Sequence, residues 1–206
     1  MKRTLLLAVL LLPALATAQT VTAVDFNVQS TMNAPAGDVE GCGLRFFASI
    51  IADPGARAAE LVDGSISAFV EGYAAIKAGH FNAQIPRDLK PEARFNPQPS
   101  GARLIWVRIG ESPSLKPLNG KVFDSPSKGY QTYPTSFEAG IAALSDLAAG
   151  QRLWVAFQPT DSAIYRIFAG PLKVGQEVSA QYRSCFDGFD RALQSRLKDA
   201  ERREKR

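Results

Sequence analysis

The spacing of apolar residues changes along this chain, and that change limits the fold more than any other feature. In the first half the spacing is two. Val24, Phe26 and Val28 fall on one face of a strand expected within 20–32, and Leu44, Phe46, Ala48 and Ile50 on one face of a second, with Phe47, Ser49 and Ile51 opposite. Such alternation belongs to half-buried strands. Toward the C-terminus the spacing becomes three and four: Val178, Tyr182, Cys185, Phe186, Phe189, Leu193 and Leu197 form one stripe of an amphipathic helix over about 177–198, which Gly188 would bend. Thr135-Ser136-Phe137-Glu138 reads as a capping box ahead of Phe137, Ile141, Leu144 and Ala148, and Gly150 closes a helix at 136–149.

Turn chemistry fills in the rest. Asp53-Pro54-Gly55 marks a turn, and Asp63-Gly64 reads as the two-residue link of a hairpin between strands at 57–62 and 65–70. More strands are expected at 73–78, 81–85, 102–109 and 120–124, and a hairpin joins Gln151 to Phe157 with Ala163 to Phe168 across Gln158-Pro159-Thr160-Asp161. The segment 102–109 is apolar on both faces, which predicts an interior strand. The expected fold is one α+β domain over 19–198, a mainly antiparallel, β-sandwich-like sheet partly covered by two helices, with 199–206 a charged, solvated tail.

The N-terminus reads as an address. Met1-Lys2-Arg3, the apolar run from Leu5 to Leu12, Pro13 and Ala16-Thr17-Ala18 follow the order of a secretory signal peptide, with cleavage expected after Ala18. The run is too short to span a bilayer, where about 20 apolar residues are needed. A bacterial periplasmic or secreted protein is expected, with no membrane span after cleavage. In that oxidising setting Cys42 and Cys185, the only cysteines, are expected to pair, two separate buried thiols being the competing reading. A loop this long carries about 5 kcal/mol of chain-entropy stabilisation. The bond would bring the last helix back over the first sheet.

The formal net charge of +4 does not indicate nucleic acid. The excess lies in Lys2, Arg3 and the run from Arg196 to Arg206, and the body carries no basic bias. A single histidine, His80, together with two paired cysteines leaves no ordinary zinc or transition-metal ligand set, and no calcium loop, phosphate loop, dinucleotide fingerprint or G-x-S-x-G occurs. No cofactor and no catalytic residue is assigned. His80 is expected on the surface or in a loop, and Ser65, following Asp63-Gly64, is expected in a hairpin connection rather than as a nucleophile.

Eight of the 13 prolines lie between 86 and 134, which predicts mainly loops around the strand at 102–109. Among them Arg94, Phe95, Phe123, Lys128, Tyr130 and Tyr133 are the candidate binding residues, since exposed aromatic and arginine side chains are enriched at binding hot spots. The same rings could instead pin their loops to the sheet. The function expected is a non-enzymatic exported protein that binds an envelope protein or small ligand through 86–134, an inhibitor or immunity protein being one form of it. The alternative is a hydrolase whose catalytic residues meet only in the fold, which a convergence of His80 with a carboxylate and a hydroxyl in a deep pocket would favour.

Overall fold

The structure is a computed structural model that describes residues 19–34, 39–53, 57–85 and 96–205. Its strands are β1 (Gln19–Ala23), β2 (Phe26–Asn33), β3 (Gly41–Asp53), β4 (Ala58–Phe69), β5 (Tyr73–Gln84), β6 (Gln98–Pro99), β7 (Arg103–Ile109), β8 (Phe123–Asp124), β9 (Tyr130–Ser136), β10 (Leu153–Gln158), β11 (Tyr165–Gly170) and β12 (Leu172–Lys173). Its helices are α1 (Phe137–Ala148) and α2 (Gln176–Glu204). The strands form a large sheet, β12-β2-β3-β4-β5-β9-β8 with β6 added beside β5, and a small sheet, β1-β11-β10-β7. This is the α+β, sandwich-like fold that the period change predicts.

Alternation decides what faces the core. Cys42, Leu44, Phe46 and Ala48 of β3, Val62, Ile66 and Ala68 of β4, and Ala74, Ile76 and Ala78 of β5 point inward and are almost fully buried. Val107, Ile109, Leu153, Val155, Phe157 and Phe168 of the small sheet join them in one core, closed by Ala143, Leu144 and Leu147 of α1 and by Tyr182, Cys185 and Phe189 of α2. The Ser136 hydroxyl accepts from the Ala139 N–H and caps α1. The Cys42–Cys185 disulfide, Cα–Cα 5.9 Å, fastens α2 to the inner face of β3.

The two sheets are joined at a corner where two chain segments turn side by side. β1 and β2 are one run broken at Val24-Asp25, and β11 and β12 are one run broken at Pro171. They pair in parallel on both sides of the break, and the ladder crosses it through Val24 N–H to Ala169 O at 3.0 Å and Phe26 N–H to Pro171 O at 3.1 Å. Strands that switch sheets build such corners. Gly170 permits the approach: a Cβ there would lie 1.5 Å from the Val24 carbonyl oxygen.

Several expectations are corrected. The strand expected within 20–32 is two strands in different sheets. Asp63-Gly64 is no turn; β4 runs straight through it, because Asp63 bonds across to β3 and Gly64 lies under Phe46, where a Cβ would come within 2.5 Å of the ring. Likewise 73–78 and 81–85 are one strand. β7 is the edge strand of the small sheet rather than an interior one; its second apolar face carries Ile105 and Trp106, packed beside Ala156 and Ile167 on the outside. The proline-rich region is less loop than expected, since β9 pairs with β5 along its whole length. Pro134 is tolerated because the β8 pairing reaches only Gln131 and Thr132, leaving its other side off the ladder. α2 continues past 198 to Glu204 and runs unbroken through Gly188.

Candidate functional site

Around Ser65 the outer face of the large sheet is polar, with exposed apolar residues such as Ile51 and Tyr73 toward the strand ends, and the pairing register gathers its charged side chains. Ser65 of β4 stands opposite Arg45 of β3 on one side and Lys77 of β5 on the other, while Asp63 stands opposite Phe47 and Gly79. Tyr130, at the start of β9, reaches across Gly79, where a Cβ would meet the Gly129 carbonyl at 2.7 Å. Thr31, Arg45, Asp63, Ser65, Lys77, Ser127 and Tyr130 thus line a recess of about 210 Å³.

Its charges are unequally satisfied. Asp63 accepts from Arg45 Nε at 2.8 Å, from Arg45 Nη2 at 2.6 Å and from the Tyr130 hydroxyl at 2.5 Å. Burial first, and then the bond to Asp63, push the Tyr130 hydroxyl up to about 12, so it remains a donor. The hydrogen bond to Asp63 likewise raises Arg45 above its ordinary value. Lys77 instead donates to Ser127 Oγ at 2.9 Å with its ammonium 4.6 Å from the Tyr130 ring centre, and among the described residues no carboxylate comes within salt-bridge reach of it. Thr31 Oγ1 is enclosed on the rim with no hydrogen-bond partner.

A second constellation lies between the sheets. His80 continues the inward row of Ala74, Ile76 and Ala78, is only 5 % exposed, and packs 5.7 Å from Phe157 and 5.1 Å from Phe168, ring centre to ring centre. The expectation of a surface histidine is therefore corrected. Its Nδ1 lies 2.8 Å from Ser100 Oγ, and its Nε2 lies 3.4 Å from Glu60 Oε2, long for a hydrogen bond. Ser100 Oγ also accepts from the Ala102 N–H, and which of Ser100 Oγ and His80 Nδ1 donates to the other is set by the imidazole tautomer. Glu60 is held by Arg166 of the small sheet through bonds of 3.1 and 2.7 Å. Burial lowers the His80 pKa below its ordinary 6.5, against the pull of Glu60 and with the help of the Arg166 charge. The imidazole is neutral near pH 7.

Of the sequence candidates, Tyr130 lies in the recess, Lys128 is an exposed loop residue beside it, and Phe123 is 51 % exposed on β8 at the sheet edge. Tyr133 is corrected from surface to core: it is fully buried, because its position on β9 faces inward, and its hydroxyl donates to the Leu115 carbonyl at 2.8 Å. Arg94 and Phe95 lie outside the described residues, as do 1–18 and the Pro54-Gly55 turn. Sequence reading missed Arg45 and Lys77 and took Asp63 and Ser65 for a hairpin link. They are far apart in the chain, and only the strand register places them together.

Among the described residues no group of three or more His, Cys, Asp or Glu is placed to hold a metal, and no helix is long and apolar enough to cross a membrane. Comparison with known proteins finds no matching family model, curated protein or solved structure, and function is read from the site itself.

Proposed function

We propose that this is an exported binding protein, addressed to the periplasm or the outside of the cell by its first 18 residues, whose recognition surface is the recess on the outer face of the large sheet. One observation carries the reading: Lys77, Ser65, Ser127 and Tyr130 converge on a recess open to solvent, held by strands fixed on both sides. It narrows the binding region first expected over 86–134 to Ser127 and Tyr130, and joins to them the sheet positions those residues overhang. Rigid strands carrying a polar site fit recognition, since the groups are already in place before a ligand arrives. The disulfide and the absence, among the described residues, of a membrane-spanning helix suit an exported chain. The test is capture from the cell-envelope fraction with the mature protein and with its Lys77→Ala and Tyr130→Ala variants, each first checked for an unchanged fold by circular dichroism. A species retained by the parent and released by both variants is expected. Retention unaffected by either variant would move recognition off the recess.

A second reading rests on the chain from Ser100 through His80 to Glu60. In it the enzyme is an esterase: His80 Nδ1 takes the Ser100 proton, Ser100 Oγ forms a bond to the ester carbonyl carbon, and the alcohol leaves with that proton. Water then releases the acid and restores Ser100. It stands second because burial and Arg166 weaken His80 as a base and because Glu60 is engaged with Arg166. Hydrolysis of p-nitrophenyl acetate that disappears in Ser100→Ala would favour it, whereas equal background rates in both proteins would dismiss it.

A further inference from the structure

The recess has a charge imbalance that selects its ligand. Asp63 and Arg45 form a two-toothed pair capped by the Tyr130 hydroxyl, so the anion is matched inside the recess. Lys77 remains. Its ammonium uses one proton on Ser127 and is held over the Tyr130 ring, which keeps it at the wall with donors to spare. Ser65, directly opposite Lys77 on β4, adds a hydroxyl on the same face. The recess therefore carries one net positive charge among hydroxyl donors.

Size and charge together narrow the class. Pockets for drug-sized molecules run from roughly 300 to 1,000 Å³, and this one, at about 210 Å³, is smaller. It takes a single small group. Within the lining one unmatched ammonium balances a monoanion, since Arg45 is already paired with Asp63 and the exposed Lys128 is not among the lining residues. We infer that the recess binds a carboxylate group, its oxygens accepting from Lys77 Nζ and from the Ser65 and Ser127 hydroxyls. The group belongs either to a free small acid or to an acidic side chain of a protein partner. This deepens the binding reading above and rests on it.

The experiment is an amide-shift titration of the mature protein, followed by nuclear magnetic resonance, with acetate, with inorganic phosphate, and with a neutral-ended hexapeptide carrying one glutamate or, in its counterpart, one glutamine. Saturable shifts at Ser65, Lys77 and Ser127 are expected with acetate and with the glutamate peptide. Binding should weaken by about tenfold or more with the glutamine peptide or in Lys77→Met, the scale of a lost charged hydrogen bond. A glutamate peptide that binds well above acetate places the group on a protein; equal affinity places it on a free acid. Phosphate binding tighter than acetate, glutamine binding equal to glutamate, or no saturable shift with either acid overturns the carboxylate assignment. If that happens while envelope capture still depends on Lys77 and Tyr130, the recess stands as a binding site for another chemistry. If capture is also independent of them, the binding reading falls as well.

Discussion

His80 and Tyr133 are polar side chains at inward positions, and each needs a partner there because an unmet polar group in a core costs about 1–3 kcal/mol. Tyr133 has the Leu115 carbonyl. Tyr133→Phe is therefore expected to cost about 1 kcal/mol and Tyr133→Ala about 3–5 kcal/mol in urea unfolding, whereas Tyr130→Phe, at a half-exposed position, should cost less than Tyr133→Ala. His80 predicts a pH dependence. Its folded pKa lies below the unfolded value of about 6.5, so in acid the unfolded chain binds the extra proton and stability falls as pH drops below that value. His80→Gln should flatten the stability profile just below pH 6.5, a change read by melting temperature across pH. A profile identical to the parent's would contradict the burial of a neutral imidazole. The inward position was legible in the row Ala74, Ile76, Ala78, His80, had the strand been carried through Gly79. What no local pattern encodes is the arrival of Glu60 from β4, Arg166 from β11 and Ser100 from just after β6.

Elements were legible where one face repeats. β3, α1, α2 and the β10–β11 hairpin stand close to their expected places because each buries a periodic apolar row against the core. The errors fall where a local signal competes with long-range pairing: Asp63-Gly64 has hairpin chemistry, but β3 and β5 pair with β4 on either side of it and hold the chain extended. Gly64 serves packing there. Gly64→Ala would set a Cβ 2.5 Å from the Phe46 ring and 2.7 Å from the Lys77 carbonyl, and the backbone cannot yield as a side chain can. A loss of about 1–3 kcal/mol is expected, the range for overpacking, measurable by chemical denaturation. A turn at that position would instead accept alanine at little cost. The end of α2 should behave oppositely. Residues from Lys198 to Arg203 are exposed and follow the last core contacts of the helix, so deleting 198–206 should leave the melting temperature nearly unchanged.

For the molecule as a whole, the disulfide, the shared corner and the Arg166–Glu60 pair tie elements from both ends of the chain into one frame. That frame leaves two outer sheet faces. The small sheet presents Trp106 and Trp154, the latter with the Arg108 guanidinium 4.1 Å from its ring centre. The large sheet presents the recess. The proposed recognition surface is the second, where Lys77, Ser65, Ser127 and Tyr130 line one recess; on the first, Arg108 and Arg152 lie over the Trp154 ring. The most direct check is amide-shift mapping of the mature protein with the species retained from its own envelope fraction. The account predicts shifts confined to Thr31, Gly43 to Arg45, Asp63 to Ser67, Ala75 to Gly79 and Ser127 to Thr132. Shifts centred on Trp106 and Trp154, or on Ser100 and His80, would contradict it.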